Sequence, residues 1–160
     1  MSSLPNGKSV GRSNVSDQVN SGTIFFVDTT LRDGQLSLWA SNMRTGMMLP
    51  VAERLGRAGY EGVEVMSSAF YKKSVRDLKE DPWERVRLLK QRLRKTPLRS
   101  IRSRSMLAFQ ITPPAVADLW LERLAANGID ELRTSDPSDT PAYWQYADKA
   151  AKRAGLKTNL

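Results

Sequence analysis

The stretch Ile24-Phe25-Phe26-Val27-Asp28-Thr29-Thr30-Leu31-Arg32-Asp33-Gly34-Gln35 runs from an apolar, strand-favouring segment straight into a polar turn that carries adjacent opposite charges. The apolar part, closed by Asp28, reads as a strand over Ile24–Asp28, because β-branched and aromatic residues fit a half-buried pleated surface. The polar part reads as the turn that leads to a helix. In parallel α/β folds, ligands gather beyond the carboxyl ends of the strands. One stretch therefore opens the fold and supplies its first candidate site.

Working outward, the same rhythm repeats: a short apolar run, a loop, an amphipathic helix, then Gly and another run. Further strands are expected at Gly62–Met66, Leu98–Arg102 and Ile129–Arg133, with a fifth beginning at Leu156. Their starts lie 38, 36, 31 and 27 residues apart. Each gap is long enough for a helix, which is what a parallel crossover requires.

The helices carry their own punctuation. In Asp81-Pro82-Trp83-Glu84, an N-cap carboxylate precedes Pro at the first helical position. Trp83, Val86, Leu89 and Leu93 then form an apolar stripe, while Arg85, Arg87, Arg92 and Arg94 are expected on the solvated side. Thr112-Pro113 and Thr140-Pro141 repeat the cap-then-Pro signal. Gly59, Gly128 and Gly155 mark helix exits. Pro50 interrupts the stretch from Thr45 to Ala58, where a kink or a late helix start is expected.

Four successive βα units and the beginning of a fifth strand fit two architectures, an open doubly wound sheet or part of a closed eight-stranded barrel. No Gly-x-Gly-x-x-Gly or Walker loop follows any of the strands. Pattern alone does not choose between the two.

Composition narrows the chemistry. The 160 residues contain neither Cys nor His, which removes thiolate sites, disulfides and imidazole ligands or bases together. Any metal would be held largely by oxygen. The net charge of +8 is local, since Lys72 to Arg104 hold thirteen Lys or Arg against four Asp or Glu. Most of these cations fall at polar positions of an amphipathic pattern, so a solvated helix face is the plainer reading and nucleic acid is not expected as a partner. Residues 1–22, rich in Ser, Asn and Gly, read as a flexible leader without the apolar core of an export signal. No apolar run approaches the length of a membrane span, and the cytoplasm is the expected compartment.

The polar residues at the strand ends are the site candidates. A hard oxygen anion such as Asp33 can bind a divalent cation, and an adjacent Arg can neutralise an oxygen on which charge develops. That pair suits chemistry on 2-oxo acids. The plainer alternative is that Arg32 and Asp33 only cap the turn. For Glu64, set between Val63 and Val65, the plainer alternative is an ion pair with a neighbouring Arg.

Asp28-Thr29-Thr30-Leu31-Arg32-Asp33-Gly34, then Met43-Arg44-Thr45, Met48-Leu49-Pro50, Gly62-Val63-Glu64-Val65, Glu80-Asp81-Pro82-Trp83-Glu84-Arg85 and Thr96-Pro97-Leu98, occur in an order that resembles the carboxyltransferase domain of pyruvate carboxylase and the oxaloacetate decarboxylase alpha subunit. The wider superfamily includes hydroxymethylglutaryl-CoA lyase and isopropylmalate synthase. The resemblance implies an α/β fold of the (β/α)8 TIM-barrel family, with residues 23–160 as its N-terminal half: four βα units and the start of strand five. It implies Asp33 as a metal ligand, Arg32 as stabiliser of an enolate oxygen and Glu64 as a catalytic residue at the second strand. Arg102 looks like the Arg that receives the substrate carboxylate, and Gln35 is a substrate-binding candidate.

The departures matter as well. The family's Arg-Asp-Ala-His-Gln-Ser-Leu becomes Arg32-Asp33-Gly34-Gln35-Leu36-Ser37-Leu38, which puts pyruvate itself in doubt as the substrate. The remaining metal ligands of the family, a carbamylated Lys and a His-x-His pair, lie on later strands. The expectation is therefore a metal-dependent carboxyltransferase or carbon–carbon lyase, using Zn, Mn or Mg and, for carboxyl transfer, biotin on a separate carrier. It would be inactive without a complementing C-terminal half-barrel. The alternative is a catalytically silent half-barrel that pairs with another subunit or presents the basic Lys72–Arg104 segment; a homo-oligomer is the other partner considered.

Overall fold

The computed structural model describes residues 24–103, 111–135 and 140–159. Strand β1 (Val27–Asp28) leads through a π-helical turn (Thr30–Gly34) into α1 (Gln35–Trp39) and α2 (Thr45–Arg57). Strand β2 (Gly62–Ser67) is followed by α3 (Ser68–Lys73), a second π-helical turn (Ser74–Leu78) and α4 (Pro82–Arg92). Then come β3 (Leu98–Arg102), α5 (Pro114–Ala126), β4 (Glu131–Thr134), α6 (Pro141–Arg153) and β5 (Lys157–Asn159). The expected leader over residues 1–22 lies outside the described residues.

The five strands are all parallel and lie in the order β1-β2-β3-β4-β5. This order never reverses, so the sheet lacks the switch point on which a doubly wound fold is built. Right-handed crossovers in unbroken succession put the helices on one side of the sheet. The side chains agree. Val63 pairs in register with Leu98, and Ser100 with Leu132, so these share a face. Val63, Leu98 and Leu132 join Val86, Leu89 and Leu93 from the α4 region, Trp120, Leu121 and Leu124 of α5, and Ala150 and Ala151 of α6 in one buried cluster. Burying each large aliphatic side chain contributes roughly 1.5–3 kcal/mol.

The opposite face is charged. Glu64 pairs in register with Arg99, Arg99 with Glu131, and Ile101 with Arg133. By alternation all five side chains share that second face. Four of the five are ionic, the reverse of the apolar layer beneath the helices.

Most of the predicted punctuation is present. Asp81 accepts from the Trp83 amide at 2.8 Å, and Thr140 from that of Tyr143 at 3.3 Å. Gly59, Gly128 and Gly155 have φ of 80°, 105° and 84°. Several expectations need correction. The first strand is paired only over Val27–Asp28, with β2 as its one neighbour among the described residues, and Ile24, Phe25 and Phe26 are exposed. The fourth strand starts at Glu131 instead of Ile129. The N-cap position of α5 is Pro113, one residue later than the expected Thr112. Of the two alternatives at Pro50 the late start is removed, since α2 starts at Thr45 and runs through Pro50. Arg85 is 1% exposed, not solvated, because Glu80 supplies a counter-charge beside it.

Candidate functional site

The turn after β1 is wound wider than an α-helix. The carbonyl of Thr29 accepts the amides of Arg32, Asp33 and Gly34 at 3.1, 2.7 and 3.1 Å. Such π-helical turns recur at functional sites because they turn consecutive side chains toward one place. Leu31, fully buried, anchors the turn on the core. Asp28 closes its entrance by accepting from the Thr30 amide at 3.1 Å and the Thr30 hydroxyl at 2.8 Å.

This winding brings Arg32 over the charged face of β2. Its Nε donates to Glu64 Oε2 at 2.7 Å, and Nη2 approaches the same oxygen at 2.5 Å. Its Nη1 donates to Asp33 Oδ1 at 2.9 Å. The other oxygen of Glu64 accepts from Arg133 Nη1, on β4, at 3.5 Å. Two cations and two anions thus alternate as Asp33, Arg32, Glu64 and Arg133, with no net charge. Exposure is lowest inside this row and high at both ends: the Glu64 side chain is 1% accessible, Arg32 11%, Arg133 43% and Asp33 51%. A guanidinium has five N–H donors, and Arg32 uses three of them here. The other two have no acceptor among the described residues.

Three of the residues expected from the sequence, Arg32, Asp33 and Glu64, therefore meet. Gln35 and Arg102 are not bonded to them. Gln35 is buried and its Oε1 accepts the Met43 amide at 3.3 Å. Arg102, by alternation with Leu98 and Ser100, stands on the helix side of β3 with its guanidinium carbon 5.7 Å from the centre of the Tyr143 ring. Its Nε and Nη1 have no hydrogen-bond partner among the described residues. Arg133 is among the polar strand-end candidates, but the sequence assigns it no partner or role. Its place at the end of the fourth strand was visible, but its reach across β3 to Glu64 was not.

Among the described residues no group of three Asp or Glu side chains converges as a metal centre. Asp33 is one carboxylate, already bridged to Arg32, and both oxygens of Glu64 are engaged. These residues do not by themselves fit a divalent ion.

The basic segment is largely consumed by internal pairing. Arg85 meets Glu80 at 2.6 Å, Lys90 meets Asp130 at 2.5 Å, Arg92 meets Glu53 at 2.9 Å and Arg99 meets Glu131 at 2.6 Å. A cleft of about 520 Å³ opens beside Arg57, Arg92 and Arg94, where α2 and α4 end, away from Arg32 and Glu64. No helix among the described residues is long and apolar enough to cross a membrane.

Comparison with known proteins places this geometry in context. No family model matches the chain. A pyruvate carboxylase subunit of Methanocaldococcus jannaschii is 38% identical over 132 residues, which cover 82% of this chain and 23% of that protein. The 2-oxoglutarate carboxylase large subunit of Hydrogenobacter thermophilus is 34% identical over 133 residues, 82% of this chain and 20% of that one. The methylmalonyl-CoA carboxyltransferase 5S subunit of Propionibacterium freudenreichii is 32% identical over 129 residues, 80% of this chain and 26% of that one. Among solved structures, the carboxyl transferase domain of Rhizobium etli pyruvate carboxylase with oxamate and biotin superposes with a TM-score of 0.79 at 26% identity, over 88% of this chain and 24% of that one. The chain spans about a quarter or less of the length of these relatives.

Proposed function

Because the chain is homologous to one part of the carboxyltransferase domain of pyruvate carboxylase, we propose that it carries the first active-site turn of a biotin-dependent carboxyltransferase acting on a 2-oxo acid through its enolate. The sheet is read as the first five strands of a (β/α)8 barrel. An unreversed parallel order, with the helices packed on one side of the sheet, supports this reading. The cytoplasm is the compartment that goes with it.

The observation that carries the proposal is Arg32, held by Glu64 and Asp33 with two N–H donors to spare. When a 2-oxo acid loses a proton from the carbon next to its carbonyl, negative charge moves onto the carbonyl oxygen. A fixed guanidinium stabilises that charge more than it stabilises the neutral ketone, and this difference lowers the barrier. Glu64 holds Arg32 in place, and Asp33 is the carboxylate left toward solvent. The roles of Gln35 in the pocket and of Arg102 on the substrate carboxylate rest on the resemblance alone. A divalent metal would need donors beyond the described residues, and no step is assigned to one. Biotin on a separate carrier would deliver the carboxyl group.

The second reading is a silent half-barrel that pairs with another chain, favoured by the lack of a three-donor metal group among the described residues. Oxamate, an unreactive mimic of a 2-oxo acid enolate, separates the two in a calorimetric titration of the chain alone and mixed with a C-terminal half-barrel. The carboxyltransferase reading expects oxamate binding in the mixture that weakens at least ten-fold in Arg32→Ala. Binding indifferent to Arg32, or none under either condition, would overturn it.

A further inference from the structure

Arg85 is a charged side chain in the core, and the site chemistry makes no use of it. Its guanidinium lies 4.4 Å from the centre of the Phe70 ring. Its Nη2 donates to Glu80 Oε2 at 2.6 Å and to the Met43 carbonyl at 3.1 Å, and its Nε donates to Thr45 Oγ1 at 2.8 Å. Glu80 in turn accepts from Thr45, at 2.7 Å from the hydroxyl and 3.1 Å from the amide. Two α4-side residues thus clamp the backbone at 43 and 45, where α2 begins. A buried ion pair is a weak source of stability, since apolar residues of similar volume often serve as well. Its advantage here is geometric.

The link just before the clamped residues is under backbone strain. Ala40 and Ser41, between α1 and α2, have φ of 47° and 62°, left-handed values that are unfavourable for residues other than Gly. Strain of that kind persists only where the surroundings fix it. The fixing contacts are Ser41 N–H to the Gln35 carbonyl at 3.0 Å, Met43 N–H to Gln35 Oε1 at 3.3 Å, and Arg85 on the Met43 carbonyl. Gln35 follows Gly34 directly, and the turn ending there carries Arg32 and Asp33. A continuous path therefore runs from Glu80 and Arg85 through Met43 to Gln35 and the π-helical turn.

We propose that the pair of buried Arg85 with partly buried Glu80 is the positioning device of the Arg32–Asp33 turn, acting through the strained Ala40–Ser41 link and the Gln35 side chain. Its functional meaning rests on the carboxyltransferase reading of Arg32, but its mechanics do not. Met43 is the shared joint, since its amide serves Gln35 and its carbonyl serves Arg85. Lysine at 85 keeps the charge but cannot span Glu80, Thr45 and Met43 with one ammonium as a planar fork does.

The test is amide hydrogen exchange on the full chain, comparing wild type, Gln35→Met, Arg85→Lys and the double variant. The readout is the amides of Arg32, Asp33 and Gly34, which donate to Thr29, with the Val63 amide, bonded to Pro97 at 3.0 Å, as the sheet reference. Each single variant is expected to speed exchange at 32–34 at least five-fold while Val63 is unchanged, and the double variant to add less than two-fold. Unchanged exchange at 32–34 in Gln35→Met overturns the proposal, as does full additivity in the double variant. If Arg85→Lys loosens Val63 as well, Gln35→Met alone decides, because it cuts the path outside the Arg85–Glu80 pair. Exchange is read without substrate, so a failure of oxamate binding would remove the reading of the site and leave this result standing.

Discussion

Arg32 sends two nitrogens to a single oxygen of Glu64, at 2.7 and 2.5 Å, while the second Glu64 oxygen is held by Arg133. One buried carboxylate therefore links the turn after β1 to the end of β4, and the middle of the sheet fixes the orientation of a side chain from its edge. The plainer sequence reading, that Glu64 serves as an ion-pair partner, and the functional one describe the same contact.

Glu64→Gln should show the weight of that link. The amide keeps the shape but removes the counter-charge from a largely buried guanidinium. The expected loss is about 1–3 kcal/mol of stability, read as a lower urea midpoint with an unchanged slope. Arg133→Ala, which removes the more exposed and longer contact, should cost about 1 kcal/mol or less.

Leu89→Ala removes a fully buried side chain of α4 from the cluster beneath the sheet. Large-to-small changes at such positions cost about 2–5 kcal/mol. Thermal unfolding followed by circular dichroism should show a fall in midpoint well beyond that of a surface substitution such as Lys72→Ala.

Two glycines predict opposite outcomes. Gly128 has a φ of 105°, and a Cβ there would lie 3.0 Å from Lys90 Cγ, whose ammonium is tied to Asp130. Gly128→Ala should lose about 1–2 kcal/mol. Gly46 lies in the first turn of α2, and nothing stands within 4 Å of the place a methyl group would take there. Gly46→Ala should gain up to about 1 kcal/mol, because alanine loses less chain entropy in a helix. Paired denaturation curves check both signs.

Acid should loosen the clamp at the start of α2. Burial pushes Glu80 upward, but hydrogen bonds from Arg85 and Thr45 outweigh it and hold its carboxyl below the ordinary value of 4.5. A carboxyl with a depressed folded-state pKa stabilises the fold above its unfolded value, and that stabilisation is lost as pH falls through the folded one. Stability measured from pH 6 down to pH 3 should therefore fall less steeply in Glu80→Gln than in wild type. Equal slopes would mean that the clamp does not titrate.

Much of the architecture was legible because it is written in local signals. Asp81-Pro82, Thr140-Pro141 and the three exit glycines act within one or two turns of backbone, so their spacing fixed where helices start and stop. β3 was placed to the residue. The ends of β1 and β4 were not, since pairing length depends on neighbours, and β1 has one among the described residues. Arg85 was misread for a related reason: an amphipathic pattern assigns charge to solvent, and only the approach of Glu80, Thr45 and Phe70 gives a guanidinium a place inside.

The order of residues alone determined the succession of strand and helix, the lack of imidazole and thiol chemistry, and the adjacency of Arg32 to Asp33. Tertiary structure decided which strand lies beside which, and hence that one face of the sheet is ionic. It also decided that Glu64 pairs with Arg32 and with Arg133, the latter sixty-nine positions along the chain. The first set follows from short-range sterics and hydrogen bonding along the chain. The second follows from register between parallel strands, which brings distant side chains onto a common face only once the crossovers are packed.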